Sequence, residues 1–208
     1  MQMPMLTLDH LAVSALTLPD GVAAVQDALG VKLHQGGKHP HMATHNCLLA
    51  LGDIYLEVIA TDPAAPAPAW PRWFDLDRFA GPPRLTNWVA ACDDLDRELA
   101  LGPDGAGVPV ALERGDLRWR MGVPADGKLP YDGCFPALIS WQGSLHPAAL
   151  LPATEVRLKR LEIAHPQAAA LAHHLSGRLT DARVSFVPGP AKAICATFST
   201  PHGQRTLG

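Results

Sequence analysis

The chain is poor in charge. Of its 208 residues only 18% are Asp, Glu, Lys or Arg, with a formal net charge of −3 and no basic run. Nucleic acid is therefore not an expected partner. Cysteine is sparse too: Cys47, Cys92, Cys134 and Cys195 lie 45, 42 and 61 residues apart, with no CxxC or zinc-finger spacing. Four reduced thiols are expected rather than a disulfide or zinc framework. No apolar run approaches the roughly 20 residues that cross a bilayer, and Met1–Met5 carries no basic, then apolar, leader. The expectation is a cytoplasmic protein with no membrane partner. HExxH, Walker A, GxGxxG and GxSxG are absent, and Ser140 has no nucleophile context.

What is present is apolar and punctuated. Hydrophobic residues make up 48%, enough for a sizeable core, and 20 Pro with 18 Gly supply many turns. Ten histidines stand out, since histidine is the commonest metal ligand. Leu6–Val13 is strand-prone; Pro19, Val22, Val25 and Leu29 then read as a helix stopped by Gly30. Val31–Leu33 is extended, and Asn46–Leu51 and Ile54–Ala60 are strands joined at Gly52-Asp53. Residues 1–60 thus form one βαβββ module. Residues 61–84 are a Pro/Ala-rich connector whose Trp70, Trp73, Phe74 and Phe79 must pack on something. The pattern restarts over 85–150: a strand at Leu85–Cys92, a short helix carrying Leu95 and Leu99, and extended Val108–Leu112, Leu117–Val123 and Ala137–Trp141. Leu8 and Leu85 occupy equivalent places, an internal repeat offset by 77. Residues 151–208 read as a partial third module. The fold class expected is α+β, with repeated βαβββ modules in a cup-shaped mixed sheet.

Asp9-His10-Leu11-Ala12-Val13 on the first strand and Glu57 on the fourth, within such modules, resemble the vicinal oxygen chelate superfamily. Gly36-Gly37-Lys38-His39-Pro40, Thr44-His45-Asn46, Gly52–Glu57, Leu117–Arg120 and Pro201–Gln204 are similar to its glyoxalase-like domain branch. The resemblance implies a cleft between paired modules, and in its metal-dependent members a divalent ion on the first and fourth strands that holds two neighbouring substrate oxygens.

Alternation places Leu8, His10 and Ala12 on one face of the first strand, and Tyr55, Glu57 and Ile59 on one face of the fourth. His10 and Glu57 are the candidate catalytic pair, and His10, Glu57 and His39 the candidate ligands of one Zn, Mn, Fe or Ni ion. A hydrogen-bonded His10–Glu57 pair without metal fits the same residues. In the second module Asn87 is matched to His10 and Ser140 to Glu57, neither a strong ligand. Arg118 and Arg120 share a face, either clamping a substrate carboxylate or lying on a solvated edge. Trp88 and Trp141 either line the cleft or fill the core. His41 and His45 are expected in a solvent-facing loop, and His146, His165, His173, His174 and His202 in structural or surface roles. Three functions stay open: a metal-dependent lyase, isomerase or dioxygenase, a metal-free binder of a small molecule, and a metal-free enzyme needing a raised Glu57 pKa. A monomer or a homodimer is compatible with two modules in one chain.

Overall fold

The computed structural model describes residues 5–208. The first module runs β1 (Thr7–Ser14), α1 (Leu18–Leu29), β2 (His34–His39), β3 (Thr44–Ala50) and β4 (Tyr55–Thr61). Helix α1 starts where the Thr17 hydroxyl accepts the Asp20 N–H and ends at Gly30, whose φ of 71° is left-handed. The second module runs β5 (Arg84–Ala91), α2 (Leu95–Ala100), β6 (Val108–Arg114), β7 (Leu117–Val123) and β8 (Ala137–Gln142). After α3 (Pro147–Leu150) come β9 (Arg157–His165), α4 (Ala168–Leu175), β10 (Val184–Pro188), β11 (Ala193–Thr200) and β12 (Gly203–Leu207).

The two modules share one eight-stranded sheet in the order β2-β3-β4-β1-β5-β8-β7-β6, joined by antiparallel pairing of β1 with β5. Within each module the first strand lies parallel to the fourth: β1 with β4, β5 with β8. The C-terminal unit repeats the βαβββ element order but not the wiring. Its separate sheet is ordered β10-β9-β11-β12, so β9 pairs with its second and third strands rather than its fourth.

Two cores flank the large sheet. On its outer face Leu11, Val13, Leu56, Val58, Trp88 and Leu138 pack with Val25 and Leu29 of α1 and with Leu161, Ile163 and Phe198 of the small sheet. On its inner face Ala12, Ile59, Val89, Ile139 and Met121 meet Trp73, Phe74 and Leu76 of the connector. The connector's aromatics thus fill the concavity, while Trp70 stays 46% exposed.

One expectation about β1 is corrected. Leu8 pairs with Ala90 and His10 with Val89, leaving Asp9 as an unpaired extra residue. This β-bulge breaks alternation: Leu8 joins the outer core with Leu11 and Val13, while Asp9 and His10 both serve the inner face. The repeat preserves the device. On β5, Ala12 pairs with Asn87 and Val13 with Leu85, leaving Thr86, 77 residues after Asp9, unpaired.

Candidate functional site

The bulge sets two neighbouring side chains to work together. Asp9 Oδ1 lies 2.5 Å from His10 Nδ1, and Asp9 Oδ2 accepts from Trp141 Nε1 at 2.8 Å and His146 Nε2 at 3.0 Å. The Ala148 N–H donates to His146 Nδ1 at 3.3 Å, so the proton of that ring is on Nε2. Burial alone would raise the Asp9 pKa; hydrogen bonds from His10 and His146, with the charge of His10, hold it well below the carboxylate range. Burial alone would lower that of His10. The Asp9 hydrogen bond and the carboxylates of Asp9 and Glu57 outweigh it and raise His10 to about 9, so the ring is an imidazolium at neutral pH. It stacks on Tyr55 with centroids 4.4 Å apart.

Glu57 hangs from the inner face of β4, as alternation predicts. Its Oε2 is 3.6 Å from His10 Nε2, beyond hydrogen-bond length, and its Oε1 accepts from Asn46 Nδ2 at 2.6 Å. Burial works to raise its pKa, but His10 above all, with His39 and Asn46, lowers it to about 2. The Asn46 amide passes the contact on: its Oδ1 accepts from the Gly37 N–H at 2.8 Å and Arg114 NH1 at 3.1 Å. The same Arg114 NH1 lies 3.2 Å from His39 Nε2, while His39 Nδ1 faces Thr44 Oγ1 at 3.0 Å. Burial holds the His39 pKa down to about 4; Glu57's charge opposes this and Arg114's reinforces it. Neutral His39 therefore donates through Nδ1 to Thr44 and accepts from Arg114.

Gly36 and Gly37 make this crossing possible. A Cβ on Gly36 would lie 2.0 Å from Asn46 Oδ1, and one on Gly37 would lie 2.6 Å from Arg114 Cδ. Arg114 stands on β6, at the far edge of the sheet from β2, so its reach to His39 shows how strongly the sheet curls.

These groups wall an inner cavity with about 30 Å³ of free space, closed on its apolar side by Trp73, Trp119 and Trp141. The indole Nε1 of Trp73 has no hydrogen-bond partner among the described residues. Outside it lies an open basin of about 700 Å³, bounded by Pro66, Pro68, Trp70 and His41. His39, Arg114 and Trp119 line both compartments.

His10, Glu57, His39 and Trp141 thus meet in the cleft, and the other five candidate site residues, Arg118, Arg120, Trp88, Asn87 and Ser140, do not. Arg118 and Arg120 alternate with Trp119 and Met121, which take the inner positions. The arginines lie outside the cleft, Arg118 paired with Glu113 at 3.0 Å and Arg120 with Asp96 at 2.7 Å. Trp88 is core, its Nε1 donating to the Cys134 carbonyl. Asn87 faces a separate cavity beside Lys192 and donates to the Gly133 carbonyl. Ser140 pairs with Arg120, out of phase with the inner-facing Ile139 and Trp141, and is not the counterpart of Glu57. Register gives that place to Ala137: Glu57 pairs with Ala12, and Ala137 with Val89, 77 residues after Ala12. His146, expected at the periphery, buttresses Asp9 instead. Asp9 and Asn46 lay in the motifs quoted from sequence without being assigned a role. Arg114 gave no signal, because nothing in a linear reading brings β6 to β2.

The superfamily's metal ion can be tested against these donors. Two of them suit it: His10 Nε2 and Glu57 Oε2 are spaced close to the roughly 3.4 Å between tetrahedral ligands, and Asp9 orients His10 from behind. The third does not, because the His39 lone pair already accepts from a guanidinium, and a divalent ion there would meet that cation at contact distance. Among the described residues no three His, Cys, Asp or Glu side chains converge on one ion position. The residues present do not make a three-ligand centre.

Comparison with known proteins agrees with the architecture. A hypothetical protein from Staphylococcus aureus superposes with a TM-score of 0.60 at 13% identity, over 90% of this chain and 88% of that one. A methylmalonyl-CoA epimerase from Mycobacterium tuberculosis gives a TM-score of 0.43 at 18% identity, over 66% of this chain and 88% of its own. No curated protein matches the chain. The model of the glyoxalase-like domain matches residues 8–179, from the start of β1 to just beyond α4. That match establishes that the chain belongs to the glyoxalase-like domain family of the vicinal oxygen chelate superfamily.

Proposed function

We propose that the cleft is a metal-free site for a small oxygenated molecule, on which His10 and Glu57 carry out proton transfer of the isomerase or lyase type. The observation behind this reading is the buried imidazolium–carboxylate pair on the cavity wall, held at 3.6 Å without a hydrogen bond between the partners. Separating two buried charges is costly, and here the gap opens onto the cavity. Glu57 at about 2 is a poor base while His10 is charged, which fails the requirement of a raised carboxyl pKa. Coupling answers this. As His10 Nε2 gives its proton to a substrate carbonyl oxygen, the charge that depresses Glu57 disappears, and Glu57 takes the proton from the neighbouring carbon. For a 2-hydroxy-carbonyl substrate the product is an enediol, with neutral His10 and protonated Glu57; delivery of the Glu57 proton to the former carbonyl carbon, as His10 takes the proton of the other hydroxyl, completes an isomerisation and restores both groups. Asp9 holds His10 in orientation throughout, and Asn46 does the same for Glu57.

The test uses 2-hydroxy- and 2-oxo-carbonyl compounds incubated with the protein in D2O, with deuterium incorporation at carbon followed by NMR. Exchange is expected in the wild type and is expected to fall by about a hundredfold or more in Glu57→Gln and His10→Asn. Exchange that survives both changes sinks the reading. Added Zn, Mn, Ni or Fe salts are expected to raise neither the exchange rate nor the Tm. Binding without turnover is the second reading, favoured by the engagement of Glu57 Oε1 with Asn46. It predicts ligand-dependent stabilisation and no exchange with any compound that binds.

A further inference from the structure

We propose that Arg114 is the anion anchor of the cleft: its guanidinium, at the junction of the two compartments, takes the carboxylate of a ligand whose planar apolar body lies in the outer basin. This rests on the reading of the cleft as a small-molecule site and names the class of molecule it takes.

Five observations carry it. Arg114 is a half-buried cation with no carboxylate in salt-bridge contact among the described residues, whereas the other arginines that are not exposed, Arg72, Arg120, Arg178 and Arg183, each have one. Among the described residues only Nη1 is occupied, by His39 and the Asn46 carbonyl oxygen, which leaves the Nε–Nη2 edge for a bidentate carboxylate. The chain gives up two Cβ atoms, at Gly36 and Gly37, to admit Arg114 and Asn46 to this position. Arg114 also lines both compartments, so an anion bound there has the inner cavity on one side and the basin on the other. In the basin Trp70, 46% exposed, stacks on His41 with centroids 4.4 Å apart and offers a flat apolar surface. A keto or hydroxyl oxygen next to the carboxylate would then extend towards His10 and Glu57.

The probes are benzoylformate, which joins a carboxylate, an adjacent carbonyl and a phenyl ring, and its uncharged methyl ester. Affinities are measured by NMR titration on the full chain, and circular dichroism checks that each variant is folded. In the wild type the acid is expected to bind about tenfold more tightly than the ester, the equivalent of one charge-assisted hydrogen-bonded pair. Arg114→Met is expected to abolish that preference. Gly37→Ala is expected to do the same without removing any polar group, because its Cβ meets Arg114 Cδ at 2.6 Å and turns the flexible side chain out of the junction. His39 is the internal monitor: its imidazole titration should move to higher pH in both variants as the guanidinium leaves. If acid and ester bind the wild type equally, or if Arg114→Met keeps the preference, the anchor is overturned while the small-molecule site stands. If neither probe binds, the anchor and the site reading fall together.

Discussion

Glu57 is charged in a strand whose neighbours Leu56, Val58 and Ile59 are all fully buried, and it is tolerated because His10 and Asn46 face it. The two cleft histidines are tuned in opposite directions, and this fixes how stability depends on pH. His10, raised to about 9, holds a proton in the folded state that the unfolded chain releases near 6.5. Its contribution is complete below pH 6.5 and is lost as pH rises through about 9. His39, lowered to about 4, refuses a proton that the unfolded chain accepts near 6.5, so stability falls as pH drops from 6.5 towards 4. Glu57 adds an acid limb of its own, lost as pH falls from 4.5 through about 2. The Tm is therefore expected to peak near pH 6.5, measured by thermal unfolding across pH 4–10. His39→Asn should flatten the limb between 4 and 6.5, and His10→Asn the limb above 6.5, whatever either change does to the peak itself. A His10 resonance titrating at its ordinary value would contradict the account. At this scale the first and fourth strands were legible: one His and one Glu among apolar residues is a visible anomaly. Asn46 and Arg114 were not, because neutral amides and surface arginines are ordinary residues until the fold brings them together.

Among the elements, α1 and the strands it covers show how tightly the module is built. A Cβ on Gly21 would lie 2.5 Å from Val58 Cγ1 and 2.7 Å from Ala15 Cβ. Two effects compete in Gly21→Ala. Helix propensity favours alanine by about 1 kcal/mol, while overpacking of a close-packed core costs about 1–3 kcal/mol. Because both contacts are fixed, one to a strand and one to the chain entering the helix, overpacking is expected to win, with a net loss of about 1 kcal/mol in urea denaturation. A gain in stability would mean that α1 is free to shift away from β4. Helix α1, with its Pro19 start and Gly30 stop, was readable almost to the residue, as was β7 at Leu117–Val123, whereas the Thr17 cap was not singled out. The bulge at Asp9 was not. Period-two reading has no sign for an unpaired residue, and so it placed Leu8 on the face of His10 and missed that Asp9 shares that face.

For the whole molecule, the C-terminal unit is held to the second module by a buried ion pair. Arg178 NH1 lies 2.7 Å from Glu98 Oε2, both side chains at least 93% buried, and the Arg178 carbonyl accepts the Leu6 N–H at 2.9 Å. Arg178→Leu strands the Glu98 carboxylate and is expected to cost about 3–5 kcal/mol in equilibrium unfolding. Glu98→Leu with Arg178→Leu should recover most of that loss, since removing both charges leaves nothing uncompensated. A double variant no better than the single would show that the pair orients the unit rather than merely tolerating burial. The module repeat and its offset could be read from the sequence. The separate wiring of the last sheet could not, because element order does not state which strand pairs with which.

The curl of the large sheet has one more consequence. Its edge strands β2 and β6 come together without a ladder of backbone hydrogen bonds, spanned instead by the side chain of Arg114. The sheet is a hoop whose edges, among the described residues, are clasped by the hydrogen bonds of this one side chain, and the clasp is in the cleft. Breathing of the fold is then concentrated along this seam, where opening separates few bonded groups. A molecule that touches both banks would damp that motion as it binds. In that way occupancy of the cleft and stiffness of the barrel become one variable.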